Sequence, residues 1–246
     1  MSLSPTVHDR RRIYLMRHGH VDYFRDIPKV GHARLVPLTD QGVEQAQAAG
    51  EALARIPIDR AICSGLPRTR QTAEHVLEEQ KKADNHLTLL DDDRLEEIHG
   101  SGRGEFPASR KEAAALLQGA FDNASADGAS MGEGGETFVS AQTRAATAIE
   151  TLLRQPDWTQ ALVVAHEGIN RLLLSWLIGA ELKAVSAFEQ DLACINVLDL
   201  DLVHTDAHSD GPIDHARLRA VNVTPYNYIK AGMHQTTLEH IFGVHD

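Results

Sequence analysis

Two short apolar runs, far apart in the chain, end in the same way. Ile13-Tyr14-Leu15-Met16 runs into Arg17-His18-Gly19, and Leu162-Val163-Val164-Ala165 runs into His166-Glu167-Gly168. A short apolar run of this kind is the pattern of a buried strand, and Gly19 frees the backbone to turn sharply after the first one. Ligands of open α/β sheets bind outside the carboxyl ends of the strands. Two histidines at the ends of neighbouring strands would therefore meet in one pocket.

The rest of the chain bounds what that pocket can be. Its 246 residues suffice for a full core and fit one α/β domain spanning 1–246. With 24 Lys+Arg against 35 Asp+Glu the net charge is −11, which argues against a nucleic-acid surface. An anion would have to be met by a local positive pocket. Cys63 and Cys194 sit in apolar, strand-like runs and read as buried, reduced thiols. No stretch approaches a membrane span and the N-terminus lacks an apolar signal core, so no membrane association and a cytoplasmic location are expected. The sequon Asn222-Val223-Thr224 then reads as chance.

In chain order, Arg10-Arg11-Arg12 reads as the end of a solvated arm. Residues 20–37 show no periodicity and mix charge with Tyr23, Phe24, Pro28 and Gly31. A loop of that length is usually functional, and it is expected to be a mobile lid whose aromatics touch the leaving group or pin the loop. Thr39 is a suitable N-cap for a helix to about Arg55, with Val43, Ala46, Ala49, Gly50 and Leu53 on its inner face. Arg60–Cys63 reads as a strand, and Pro67 opens the next helix. Arg68 and Arg70 fall in that helix's first turn, where the macrodipole disfavours cations, so one of them is expected to serve an anion. Leu87–Leu90 is a strand, followed by an acidic stretch and by Gly100, Gly102 and Gly104, whose spacing fits no dinucleotide fingerprint. Residues 108–118 read as a helix, 119–135 as a mobile surface loop, and Gly134–Thr137 as the start of a helix to about Leu153. A helix over Asn170–Ile178 and strands over Ala193–Leu200 and Leu218–Val223 complete the series. His204, Asp206, His208, Asp210, Asp214 and His215 match no metal-site spacing and read as a solvated loop. A zinc-protease reading of His166-Glu167 fails because position 170 is Asn.

Arg17, His18, Arg68, Glu97 and His166 make sense together as a phosphoryl-transfer site. Arginine presents a planar fork to a phosphate, and the helix opening at Pro67 adds backbone donors. A neutral His18 can attack phosphorus, and His166 can stabilise the equatorial oxygens. A protonated Glu97 can give its proton to the leaving alkoxide and later take one from water. No metal and no cofactor are expected.

At these residues the sequence resembles the histidine phosphatase superfamily, the phosphoglycerate mutase-like enzymes. Its Arg-His-Gly signature is matched by Arg17-His18-Gly19, and its Leu-Thr-x-x-Gly-x-x-Gln-Ala helix start by Leu38–Ala46. The Ser-x-x-x-Arg-x-x-Gln-Thr-Ala element is matched by Ser64, Arg68, Gln71, Thr72 and Ala73. Leu95, Glu97, Gly100 and Gly104 match the acid–base segment, and His166, Gly168 and Arg171 the late His-x-Gly-x-x-Arg. The resemblance implies an α/β three-layer sandwich with a mostly parallel central sheet flanked by helices. It implies that His18 is the phosphorylated nucleophile and Glu97 the general acid, with Arg17, Arg68 and His166 forming the phosphate pocket. The Leu-x-Glu spacing selects Glu97 over Glu96. His20, Val21 and Phe24 stand where many members carry Glu, Thr and Asn, and the Trp often found between the glycines is absent.

The expected function is metal-independent hydrolysis of a small phosphomonoester through a phosphohistidine, with a small phosphorylated metabolite as partner and room for a homo-oligomer. The alternatives are mutase-type phosphoryl transfer, against which stands the absence of a long basic insertion after Glu97, and a catalytically silent phosphate-binding module.

Overall fold

The first apolar run extends further than its hydrophobic residues, because its basic head is also paired. In the computed structural model, which describes residues 9–23, 32–100, 110–203 and 212–243, β1 covers Arg10–Arg17. It is followed by α1 (His32–Leu35), α2 (Asp40–Leu53), β2 (Arg60–Cys63), α3 (Pro67–Lys82) and β3 (Leu89–Asp91). Then come α4 (Arg110–Asp122), α5 (Phe138–Leu153), β4 (Gln160–Ala165), α6 (Glu167–Leu177), β5 (Ile195–Leu202), β6 (Ile213–Val223) and α7 (Thr237–Phe242). The strands form one sheet in the order β3-β2-β4-β1-β5-β6. The first four are mutually parallel, whereas β5 and β6 run antiparallel on one flank.

Helices cover both faces, as expected for a sandwich. Ile13 and Leu15 point to one side, into a core shared with α5 and α6. Tyr14 and Met16 point to the other, against Ala49, Leu53, Ala73 and Val76 of α2 and α3. That alternation is the period-two geometry of a strand buried on both faces. β1 lies directly beside β4, with Arg17 opposite Ala165, so the next residue of each strand is a histidine.

Several local expectations are corrected. Arg10–Arg12 is no solvated arm. Antiparallel pairing sets Arg10 opposite Asp201 and Arg12 opposite Asp199, and these carboxylates bond the two guanidinium groups at 2.7 and 2.6 Å. Arg11 on the other face is buried over the Trp158 ring. The α4 helix runs to Asp122, beyond the expected end at 118, because Phe121 continues its apolar face and packs 6.1 Å from Phe138. Residues 123–136 then fold as turns closed by a Ser130–Thr137 bridge. The α6 helix starts at Glu167, three residues earlier than expected, with His166 as its N-cap. On the inner face of α2, Gly42 and Gln45 are buried in addition to the expected alanines, while Val43 is half-buried. Within the expected loop 20–37, residues 32–35 form α1; Phe24, Pro28 and Gly31 lie outside the described residues, as do Gly102, Gly104, His204, Asp206, His208 and Asp210. Asp214 and His215 belong to β6. Both cysteines are buried free thiols, pushed up to about 12 by burial. Among the described residues no helix is long and apolar enough to cross a membrane.

Candidate active site

The parallel pairing of β1 with β4 brings the two histidines together. The His18 and His166 rings lie 5.3 Å apart, edge to face, and both side chains are buried. Nδ1 of His18 sits 2.7 Å from the carbonyl of Gly19. A carbonyl oxygen can only accept, so Nδ1 carries the ring proton and Nε2 keeps its lone pair. Burial first, then the charges of Arg68 and Arg17, hold the His18 imidazole well below its ordinary 6.5. The ring is therefore neutral at pH 7, the form a nucleophile needs.

His166 is held neutral in the same way, by burial and then by Arg68 and His18. Its Nε2 lies 2.9 Å from Ser64 Oγ, at the end of β2, and its Nδ1 is buried without a protein partner. Ser64 also meets Thr69 Oγ1 at 2.8 Å, and Thr69 gives its own proton to the Leu66 carbonyl. The Ser64 hydrogen is then committed to Thr69, so Ser64 accepts from the Nε2–H of His166, and Nδ1 of the neutral ring keeps its lone pair.

Two arginines flank the rings. Arg17 is buried, with Nη1 bonded to the Gln190 carbonyl and 3.1 Å from Glu167. Arg68, in the first turn of α3, is buried as well and lies 5.8 Å from the Tyr23 ring. Arg70, the alternative in that turn, points away and pairs with Asp91. The turn's poor fit to the macrodipole thus marks the side chain that reaches the site. Tyr23 turns its ring toward Arg68.

Glu97 arrives from the loop after β3. Its carboxylate accepts from the N–H of Ile98 at 2.9 Å and of Gly168 at 3.2 Å, in the first turn of α6. Arg144 of α5 fixes this loop by bonding the carbonyls of Arg94, Glu96 and Glu97. The neighbouring Glu96 is engaged elsewhere, in a fork with Arg34 of α1 and 3.3 Å from His99.

The other motif residues hold the nucleophile's loop in place. Thr72 accepts from the Gly19 N–H at 3.0 Å, Gln45 accepts from the His20 N–H at 2.9 Å, and the Thr39 N–H bonds the His20 carbonyl. A methyl on Gly19 would come within 2.5 Å of the Gly42 carbonyl, and one on Gly42 within 2.2 Å of the His20 carbonyl. The two backbones touch, which only glycine allows. His20 itself is half-buried, with Nδ1 2.8 Å from Thr39 Oγ1. Sequence reading gave no role to Ser64, Glu167 or Arg144. Ser64 stood in the matched motif four residues before Arg68 and Glu167 next to His166; Arg144, on a different helix, carried no signal at all.

The sheet order, the paired histidines and the two buried arginines define a phosphate-handling α/β enzyme of the phosphoglycerate mutase-like fold. A mycobacterial glucosyl-3-phosphoglycerate phosphatase has the same architecture, with a TM-score of 0.65 and 25% identity over 87% of this chain and 99% of that one. Residues 13–208 match the model of the histidine phosphatase superfamily, branch 1, and the chain belongs to that family. It is 31% identical to the adenosylcobalamin/alpha-ribazole phosphatase of Escherichia coli (strain K12) over 194 residues, covering 77% of this chain and 90% of that protein. A probable phosphoglycerate mutase of Serratia proteamaculans (strain 568) is 26% identical over 174 residues, 68% of this chain and 75% of the relative. The chain is thus an enzyme of the histidine phosphatase type.

Proposed function

We propose that the protein hydrolyses a small phosphomonoester through a phosphohistidine on His18. The observation that supports this most directly is the pairing of His18 Nδ1 with the Gly19 carbonyl beside His166, since it aims a neutral Nε2 into a pocket with two buried arginines. In the first step the Nε2 lone pair attacks phosphorus and the bond to the ester oxygen breaks. Glu97, as a carboxylic acid, gives its proton to that oxygen, and the alcohol leaves. In the second step water attacks the phosphohistidine, Glu97 takes its proton, and the P–N electrons return to Nε2 with release of inorganic phosphate.

Arg17 and Arg68 would hold the non-bridging oxygens, whose charge shifts toward the equatorial plane in the transition state, and the unpartnered Nδ1 of His166 would share a proton with them. The two guanidinium charges are already in position, so no metal need be bound. The relatives named for phosphatase activity favour hydrolysis. The chain has no long basic insertion after Glu97, which disfavours mutase-type transfer.

Quenching the protein with labelled ester tests the mechanism. An acid-labile, base-stable adduct that His18→Ala abolishes is expected, with turnover unchanged by a chelator. Absence of the adduct, or activity lost to the chelator and restored by magnesium, would overturn it.

A further inference from the structure

Beside the phosphate site, on the flank of β5 and β6, a cavity of about 450 Å³ opens between α2, the Asp191–Leu192 turn and the C-terminal segment. It borders the nucleophile's loop on several sides. Gln45 in its wall bonds the His20 N–H, and the turn at Leu192 hands the Ala193 N–H to the His18 carbonyl at 3.0 Å. Thr237, also in the wall, donates at 3.2 Å to the Gln190 carbonyl, which is the acceptor for Arg17. Much of the wall, from Tyr226 to His240, lies beyond residue 208, where the family match ends.

The chemistry of this wall differs from that of the phosphate pocket. No lysine or arginine is among its lining residues. Its carboxylate, Asp191, is already held by Lys230 at 2.6 Å and Asn222 at 2.9 Å. What remains toward the space are amide and imidazole edges from Gln41, His234 and His240, with Leu192 and Met233 as apolar patches. His20, two residues past the nucleophile, is lowered below its ordinary 6.5 by burial first and then by His240.

We propose that this cavity receives the alcohol portion of the ester, and that this portion is an uncharged, hydrogen-bonding group of sugar or nucleoside size. The inference rests on the phosphatase reading above and specifies its substrate class. A volume of this order is that of a small-molecule site. Amide and imidazole groups can exchange hydrogen bonds with hydroxyls and ring nitrogens. Among the described residues a second phosphate or a carboxylate would meet no lysine or arginine in that lining, and the nearby Lys230 is already paired with Asp191, so its desolvation would be costly.

Calorimetric titration of the His18→Ala protein, which holds an ester without turning it over, tests the assignment. Ribose 5-phosphate or adenosine 5′-monophosphate should bind at least about tenfold more tightly than 3-phosphoglycerate, the first two separating a sugar from a nucleoside preference. Adding Gln41→Ala and His234→Ala to that protein should erase the difference, and the exposed His234→Ala alone should reduce it. Equal or tighter binding of 3-phosphoglycerate, or a preference untouched by these variants, would overturn the proposal. Failure of the phosphatase reading shows separately, as the absence of a phosphohistidine in the wild-type protein.

Discussion

The carboxylate of Glu97 rests on the backbone of Gly168, accepting its N–H at 3.2 Å, two residues past His166. A methyl on Gly168 would stand 2.6 Å from Glu97 Oε1 and 2.7 Å from Ile98 Cδ1. The glycine of the His-x-Gly motif is therefore the seat of the proposed acid–base residue.

Gly168→Ala should accordingly shift Glu97 and slow an alkyl phosphate far more than p-nitrophenyl phosphate, whose leaving group needs no proton. The ratio of single-turnover phosphorylation rates on the two esters measures this. An equal loss on both would mean that the methyl disturbs the phosphate pocket instead.

Glu97→Gln should slow the same alkyl ester by ~10²–10⁴, the usual worth of a positioned general acid. Glu96→Gln should cost much less, because Glu96 is bound up with Arg34. A reversal of the two losses, read from the same single-turnover rates, would move the role to Glu96.

Glu167 is buried between Arg17 at 3.1 Å and Arg171 at 2.8 Å, and Arg171 continues to Glu189 at 3.1 Å. Burial raises the Glu167 carboxyl while the two arginines oppose that shift. Its part is to aim Arg17. Glu167→Gln should raise KM more than it lowers kcat, and it should destabilise the fold by roughly 3–5 kcal/mol, the cost of leaving buried partners unmatched. Denaturant titration and steady-state kinetics check the two halves separately.

His18 and His166 are both held well below 6.5 in the fold. The unfolded chain therefore binds protons at these residues that the native state refuses, in the window from pH 6.5 down to the lowered native values. Stability should fall as pH falls through that window. The decline of Tm between pH 6.5 and 5 should be shallower in His166→Gln than in the wild type. Equal slopes would mean that His166 takes up its proton in the native state.

The five side chains proposed for phosphoryl transfer and their order were legible along the chain, because each rests on a local signal. An apolar run ending in Arg-His-Gly, a capped helix start at Thr39 and a cation set against the dipole at Arg68 need only short stretches to be read. The limits of α4 and α6 were not legible. Phe121 prolongs α4 by packing on Phe138, and α6 begins at once after β4 with His166 as its cap. Both depend on neighbours remote in sequence. The same holds for Arg10 and Arg12, whose charge looked solvated until antiparallel pairing with β5 set Asp199 and Asp201 across from them.

By itself, then, the sequence determined which side chains could perform phosphoryl transfer and that they follow buried strands, since composition and short-range pattern suffice for both. The tertiary structure alone decided that β4 lies beside β1, which puts two neutral imidazoles 5.3 Å apart. It also decided that Glu97 and not Glu96 sits on Gly168, and that the C-terminal segment walls a cavity beside the nucleophile. These are contacts between segments tens to hundreds of residues apart. Strand order, register and burial set them, and no local run of residues encodes those.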